Sequence, residues 1–491
     1  MKKYFILLMI AIILVIPAVS SAAPLNQGQD YVVQADDWLS KLADKFLGDV
    51  LAYPAITYYT NQMNTEDDSY AKITDSNVIE VGAKIYIPTQ EEAEAYFSGS
   101  TESVGEGAIK IGVLLPLSAP GSVSGGTAMK AAMEIGLDEI NAAGGVLGQP
   151  VELVIVDTEG LAERGTAAMQ RLISQEGVPA VVGEYHSAVG LTAKEVAHDN
   201  HIPLVLAETW NDDITAVQYP EVFRIAPLSS EVAQADAKFM ESLGVKYAAI
   251  MTENTGYGIP AAEQTAEQLA ERGIESESYF ADIGTLDFAP IIERIKAGRT
   301  PDIIVVLLTG ETSFNFQQQA ADGGIGPEVA PMLCNQAVGD SDAFWAAVPD
   351  GNLCMYRKIG LPQALYTPET IAFSEKYEAA TGKATPESYA MEAYDSLKIM
   401  AQAINEAGST DADAIISALE NISYDGALGT ITFPYGTTNP VPDGVEAKWW
   451  HQFPDPAITM RQYTEKGQNA NDSAVVWPDA YKTADPILPG K

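Results

Sequence analysis

The sequence predicts an α/β protein with two doubly wound lobes joined by hinge crossovers and preceded by a small β-α-α-β unit. Three observations carry this. From Ala108 onward short apolar runs alternate with amphipathic stretches, the pattern of a parallel sheet covered by helices. After FRIAPLSS the same series starts again with similar composition. Residues 24–89 follow a different pattern and are separated from the rest by residues 90–107, an acidic, Ser/Gly-rich linker without apolar periodicity. A chain of 491 residues is also too long for one core.

The first element is a secretory signal, residues 1–22: Lys2 and Lys3, an unbroken apolar run, then small residues at Ser20 and Ala22. Pro17 argues against an uncleaved anchor, because it breaks the run before the roughly 20 residues that a spanning helix needs. Charges interrupt every later apolar run, so the mature chain is expected to be exported to the periplasm or cell envelope. In residues 24–89, strand-like YVVQ and AKIYIP flank two helical stretches. DDWLSKLADKFLG places Trp38, Leu39, Leu42, Ala43 and Phe46 on one stripe, with Asp36 or Asp37 as N-cap and Gly48 as the stop. The second stretch, Asp49 to Asn61, sets Leu51, Pro54, Ala55 and Tyr58 at helical spacing.

The α/β part opens with the buried strand IKIGVLLPL, the helix AMKAAMEIGLDEINAAGG and the strand VELVIVD. It continues through PAVVG, the helix SAVGLTAKEVAHDNH and the strand IPLVLA. The second series contains YAAIMTEN, PDIIVVLLTG, APMLCN and GNLCMYR as strands, and a long helix, SYAMEAYDSLKIMAQAINEAG, returns after a crossing near 360. The expected division is 108–226 with 362–420 as the first lobe, 227–361 with 421–465 as the second, and 466–491 as a tail. Cys334 and Cys354 are either one disulfide, as an oxidising compartment favours, or two buried thiols.

Charge and motifs exclude several functions. The formal charge is −39, with 28 basic against 67 acidic residues and no basic stripe, which argues against nucleic acid as a partner. No GxSxG elbow, HExxH helix, Walker loop or GxGxxG occurs. His186 and Ser187 are adjacent at the start of a helix and point in different directions, so they do not form a base and nucleophile. His198 and His201 are a lone i, i+3 pair. An enzyme, a cofactor and a bound metal are therefore not expected.

YVVQADDWLSKLADKF, Asn61 and IEVGAKIYIP resemble a LysM module, a family that binds N-acetylglucosamine glycans such as peptidoglycan. The resemblance covers about 60 residues. Asp36-Asp37-Trp38 replaces the family's usual glycine-aspartate-threonine, and 62–77 reads as an insertion, so a docking or spacer unit is an equal alternative. KIGVLLPLSAPGSVSGGTAMKAAMEIGLDEINAAGGVLGQPVELVIVDTEG, with PAVVGEYHSAVGLTAKEVAHDNHIPLV and DFAPIIERIKAGRTPDIIVV, resembles the type I periplasmic solute-binding proteins of ABC importers. The similar branch is the leucine/isoleucine/valine- and amide-binding one, and the likeness runs from about 108 to 465.

That resemblance implies two lobes closing on a small-molecule ligand that is passed to an ABC-importer membrane permease. It also implies site residues at the carboxyl ends of strands. Ser187 and Ala188 match the positions that hold a ligand carboxylate. Glu208, Thr209 and Trp210 fall where the head group is contacted, with Glu208 and Trp210 departing from the family's residues. Tyr257 matches a cleft tyrosine, and Thr309 and Glu311 reach the mouth from the second lobe. Gln336 stands where amino-acid binders carry an acid for the ligand ammonium. Either Glu208, Glu311 or Glu184 supplies the missing charge, or the ligand is an amide, urea-like compound or small aromatic acid with Trp210 as a stacking wall. The rival readings are a sensor module for a separate membrane partner and a wall-glycan binder acting through the LysM-like part.

Overall fold

The computed structural model describes residues 28–489, apart from 36, 49–51, 68, 74–78, 91, 94–95, 97–106, 385 and 455. The expected signal (1–22) and most of the linker (90–107) lie outside the described residues. The chain divides into two compact units, Met1–Ser100 and Thr101–Lys491.

The first unit runs β1 (Gln29–Val32), α1 (Leu39–Leu47), α2 (Tyr53–Glu66) and β2 (Lys84–Ile87), with the two strands antiparallel. Leu39, Leu42 and Ala43 pack with Ala55, Ile56, Ile85 and Ile87 in its core. Trp38 was expected on that stripe but is 54% exposed, because α1 begins one residue later. Asp37 directs its carboxylate back to the Gln34 N–H and the Tyr31 hydroxyl, both at 2.8 Å. Pro54 sits in the first turn of α2, where a missing N–H costs nothing, and the helix continues past the expected stop at Asn61.

In the second unit one sheet has the order β4-β3-β5-β6-β7, all parallel. Its strands are β3 (Ile109–Leu115), β4 (Val151–Asp157), β5 (Val181–Gly183), β6 (Leu204–Leu206) and β7 (Val222–Arg224). The other sheet is formed by β8 (Tyr247–Glu253), β9 (Glu275–Ala281), β10 (Ile303–Leu307), β11 (Met332–Cys334) and β12 (Met355–Ile359). These five run parallel in the order β9-β8-β10-β11-β12. In both sheets the second strand lies outside the first, so each reverses its winding beside its first strand, where open α/β sheets leave a crevice.

The covering helices are, in the first lobe, α3 (Val123–Ala142), α4 (Ala162–Ser174), α5 (Ser187–Asn200) and α6 (Asp213–Ala216). The second lobe adds α7 (Ser229–Ser242), α8 (Gly258–Glu271), α9 (Ala289–Ala297), α10 (Gly310–Asp322) and α11 (Ser341–Ala347). The chain then returns to the first lobe through α12 (Pro368–Thr381), α13 (Ser388–Ala407) and α14 (Ala412–Glu420). Crossings between the lobes occur at 225–228, at 360–367 and between Phe453 and Ile458.

Two expected boundaries need correction. The hairpin β13 (Tyr424–Gly426) and β14 (Gly429–Ile431), expected in the second lobe, packs in the core of the first with Ile422, Ala427, Ile431 and Phe433. The physical reason is Asp395 on α13, whose buried carboxylate takes the N–H groups of Ala427 (2.9 Å) and Leu428 (2.8 Å). The expected tail is also part of the fold: β16 (Ala474–Trp477) pairs antiparallel with β15 (Ile458–Gln462), which extends the second sheet beyond β12. Cys334 and Cys354, at β11 and just before β12, are joined as a disulfide with Cα atoms 6.5 Å apart.

Candidate functional site

The site is built from strand ends. After β5 the chain turns through Gly183 and Glu184, both at positive φ (111° and 93°), before α5 begins. For a glutamate that conformation is strained, and its own hydrogen bonds hold it. The Glu184 carboxylate accepts from the Thr158 hydroxyl (2.8 Å) and the His186 N–H (3.0 Å). Burial pushes this carboxyl up to about 7 in spite of those bonds. Glu184 is thus committed to shaping the turn.

His186 faces the neighbouring loop, where its Nε2 accepts from the Ser122 N–H at 2.9 Å, and burial pushes the ring down to about 3. The Ser187 hydroxyl oxygen accepts instead from the N–H groups of Trp210 (3.0 Å) and Asn211 (3.2 Å). Ser187 therefore ties the loop after β5 to the loop after β6, and its hydroxyl proton remains available as a donor. Arg224, wholly buried at the end of β7, supports the second loop. It donates to Gln452 (2.6 Å), to the Thr209 carbonyl (3.1 Å), to the Asn211 carbonyl and to the Thr215 hydroxyl (3.1 Å).

From the other lobe, Tyr257 stands edge-on to Trp210 with ring centres 6.0 Å apart. Thr309 follows β10 and donates from both N–H (2.9 Å) and hydroxyl (2.7 Å) to Glu253. Asn335, after β11, donates to the Leu308 carbonyl, which sets Gln336 beside it at the mouth.

These strand ends wall a half-open cavity whose empty space, the part open to solvent included, is about 350 Å³. Tyr185, His186, Ser187, Glu208 and Trp210 line it from the first lobe, and Tyr257, Leu308, Thr309, Asn335 and Gln336 from the second. Ser187, Glu208, Trp210, Tyr257, Thr309 and Gln336 were expected there. Ala188, Thr209 and Glu311 were also expected and do not line it. Ala188 lies against Gly256 on the seam between the lobes, and Thr209 turns its methyl toward Gly190 of α5. Tyr185, Leu308 and Asn335 were missed, although each lies one or two residues before an expected one, and His186 completes the wall beside Ser187. Three buried polar atoms in this wall lack a well-formed hydrogen bond: Gln336 Oε1, Glu208 Oε2 and Trp210 Nε1, the last with the Glu208 carboxyl nearby. Buried polar groups are ordinarily satisfied, so such a set in one cavity fits a polar ligand.

Residues 108–441 match the family model described as periplasmic binding protein. The chain belongs to the periplasmic binding protein family. Such proteins bind solutes rather than catalyse reactions, and a small-ligand-binding role follows for this one. A curated relative, Leu/Ile/Val-binding protein homolog 7 of Brucella abortus, is 26% identical over 349 residues, 67% of this chain and 84% of that protein. The branched-chain amino acid transporter substrate-binding protein LivJ of Streptococcus pneumoniae, solved with isoleucine, is 22% identical. It superposes with a TM-score of 0.62 over 78% of this chain and 100% of that one. A solute-binding protein of an ABC transporter from R. palustris, solved with benzoate, is 21% identical with a TM-score of 0.65, over 78% and 99% of the two chains.

In this periplasmic binding protein the lobes meet around the cavity. Glu311, at the start of α10, reaches across to the first turn of α3: its carboxylate accepts from the N–H groups of Ser124 (2.8 Å) and Val123 (3.2 Å). That engagement removes it from the ligand mouth. Asn211 likewise donates across the seam to the Gly256 carbonyl, at 2.5 Å. Gly310 makes the close approach feasible, since a Cβ there would lie 2.7 Å from Ser122. Behind the cavity wall, Glu208 neighbours Glu392 of α13. Burial, and then the charge of Glu392, pushes the Glu208 carboxyl well above the usual carboxylate range, while burial raises Glu392 to about 7.

Proposed function

We propose that the chain is an exported solute-binding component of an ABC importer, holding a branched-chain or related amino acid between its lobes and handing it to a membrane permease. The observation that carries this is the cavity walled by strand ends of both lobes, with unpartnered polar atoms facing it. The Leu/Ile/Val-binding names of the relatives and the isoleucine bound to a solved neighbour support the ligand class. In this reading the Ser187 hydroxyl, with the Ser187 N–H at the start of α5, receives the ligand carboxylate. The first N–H groups of a helix lack intrahelical partners and carry positive partial charge. Trp210 and Tyr257 flank the apolar side chain. Ligand contacts from both lobes favour the closed state, which the permease reads. No described helix is long and apolar enough to cross a membrane.

A second reading has its own support: Gln336 offers no charge for an ammonium, and a structural neighbour was solved with benzoate. An amide or a small aromatic acid would then occupy the cavity. A thermal-shift screen with L-leucine, L-isoleucine, acetamide, urea and benzoate decides between them. A ligand at a hundred times its dissociation constant stabilises the protein by about 2.7 kcal/mol. Stabilisation by benzoate or amides alone refutes the amino-acid reading.

For the N-terminal unit we propose glycan docking, supported by its β-α-α-β order and the exposed Trp38. Co-sedimentation of the chain with insoluble peptidoglycan should be lost in Trp38→Ala. No sedimentation of either protein favours a spacer.

A further inference from the structure

We infer that Glu208 and Glu392 together form the seat of the ligand's cationic ammonium, with one proton shared between the two carboxyls and a single negative charge left for the ligand. The inference rests on the amino-acid reading of the cavity.

Glu208 follows β6 and stands in the cavity wall, 4% exposed, with Oε2 unpartnered. Glu392 projects from α13, which packs across β5 and β6; it is fully buried, and neither of its oxygens has a donor. The groups facing the pair offer no compensating charge. Asp395 lies on the same helix as Glu392, Tyr185 comes from the turn after β5, Tyr257 from the other lobe, and Trp210 turns its indole toward Glu208 from the same loop. None carries a positive charge. The nearest guanidinium behind Tyr257, Arg357, is held by Asp236 at 2.7 Å and by the carbonyls of Val306 and Cys334. Two carboxyls in such a place cannot both ionise without a cation, and a single shared proton gives them one hydrogen bond and one charge.

The cation that fits is an ammonium. Among the described residues no group of three or more His, Cys, Asp or Glu converges as a metal site. An ammonium has three N–H donors, and the Glu208 and Gln336 oxygens are buried acceptors without donors in the same cavity. Glu184 and Glu311, the other acids near the site, are already engaged. The missing acid at position 336 is thus replaced from the opposite lobe, and the pair selects ligands with an ammonium over their deaminated analogues.

The seat has a pH signature. With Glu392 titrating at about 7 and Glu208 well above, the pair is neutral in acid and singly charged beyond about pH 7. An ammonium entering the neutral pair expels one proton to solvent. Affinity therefore falls by up to about tenfold per pH unit below that point and levels off above it.

Isothermal titration of the full chain with L-leucine from pH 5.5 to 8, in phosphate and in Tris, counts the protons released. The expected count rises toward one in acid and vanishes at pH 8. Glu392→Gln should keep a pH-dependent affinity, because burial, the larger cause, still raises the remaining Glu208 carboxyl. The double variant Glu208→Gln, Glu392→Gln should lose at least about 30-fold in L-leucine affinity. It should bind 4-methylpentanoate, which has the same chain and carboxylate without the ammonium, at least as tightly as the wild type does, which also shows that it is folded. A flat wild-type pH profile overturns the assignment whatever the variants do. Equal L-leucine affinity in wild type and double variant also overturns it and leaves the amino-acid reading standing. A wild-type protein that binds neither L-leucine nor L-isoleucine overturns that reading first, and the ammonium seat with it.

Discussion

Removing the carboxylate of Glu311 should loosen the closed state without touching the ligand. Its two oxygens take the N–H groups of Ser124 and Val123 at 2.8 and 3.2 Å, while the next N–H of α3, that of Gly125, goes to the Ser122 hydroxyl at 3.3 Å. The first turn of α3 is therefore satisfied from across the cleft, and opening returns both partners to water. A hydrogen bond to a charged group nets about 1.5–3 kcal/mol, which already includes the favourable placement of an anion at a helix N-terminus. At 1.4 kcal/mol per factor of ten, Glu311→Ala should shift the open–closed equilibrium by roughly 10- to 150-fold. Glu311→Gln keeps one neutral acceptor worth about 1 kcal/mol, so its shift should be smaller, roughly two- to thirtyfold. Because Glu311 lies outside the cavity wall, lost affinity can arise only from a smaller closed population, and it should show as faster ligand release. Titration calorimetry and stopped-flow release with L-leucine measure both, and small-angle scattering reports the opening. Wild-type affinity and release in Glu311→Ala would refute the clasp.

Arg224→Met should strand the Thr209 and Asn211 carbonyls and the Gln452 side chain in the interior. At about 1–3 kcal/mol for each unsatisfied buried acceptor, denaturant unfolding should show a loss of at least about 3 kcal/mol. Arg224→Lys should recover only part of it, because an ammonium lacks the fork that reaches several acceptors at once; full recovery would refute this account. Glu420 is raised by burial but lowered more by the hydrogen bonds from His451 (2.9 Å) and Thr437, to about 2. A folded pKa below the ordinary value contributes stability that is complete above about pH 4.5 and is lost as pH falls toward 2. Glu420→Gln should therefore melt below the wild type at pH 6, and the two curves should converge near pH 2; a gap independent of pH would refute the assignment.

The sheets are legible in the chain because parallel strands buried on both faces, such as IKIGVLL and IIVVL, appear as unbroken apolar runs. Most of the site is legible for a related reason. In doubly wound sheets the ligand meets the residues just after such runs, which is where Ser187, Glu208, Trp210, Thr309 and Gln336 stand. Glu311 was placed on the right loop with the wrong partner, since sequence does not tell that α3 opens opposite it. The hairpin 424–431 was given to the wrong lobe because two three-residue strands carry too few apolar positions to distinguish one core from another.

Glu392 was missed for a more instructive reason. In SYAMEAYDSLKIMAQAINEAG an acid reads as part of a solvated helix face, on the assumption that only one face is covered. Around α13 that assumption fails: β5 and β6 lie along one side and the hairpin β13–β14 on another, so Glu392 and Asp395 are both interior. Their fates then differ. Asp395 receives two N–H groups from the hairpin, while Glu392 receives none and faces Glu208 at the cavity wall. A second covered face thus turns two apparently surface acids into one structural anchor and one half of an ammonium seat, and only the tertiary fold separates the two roles.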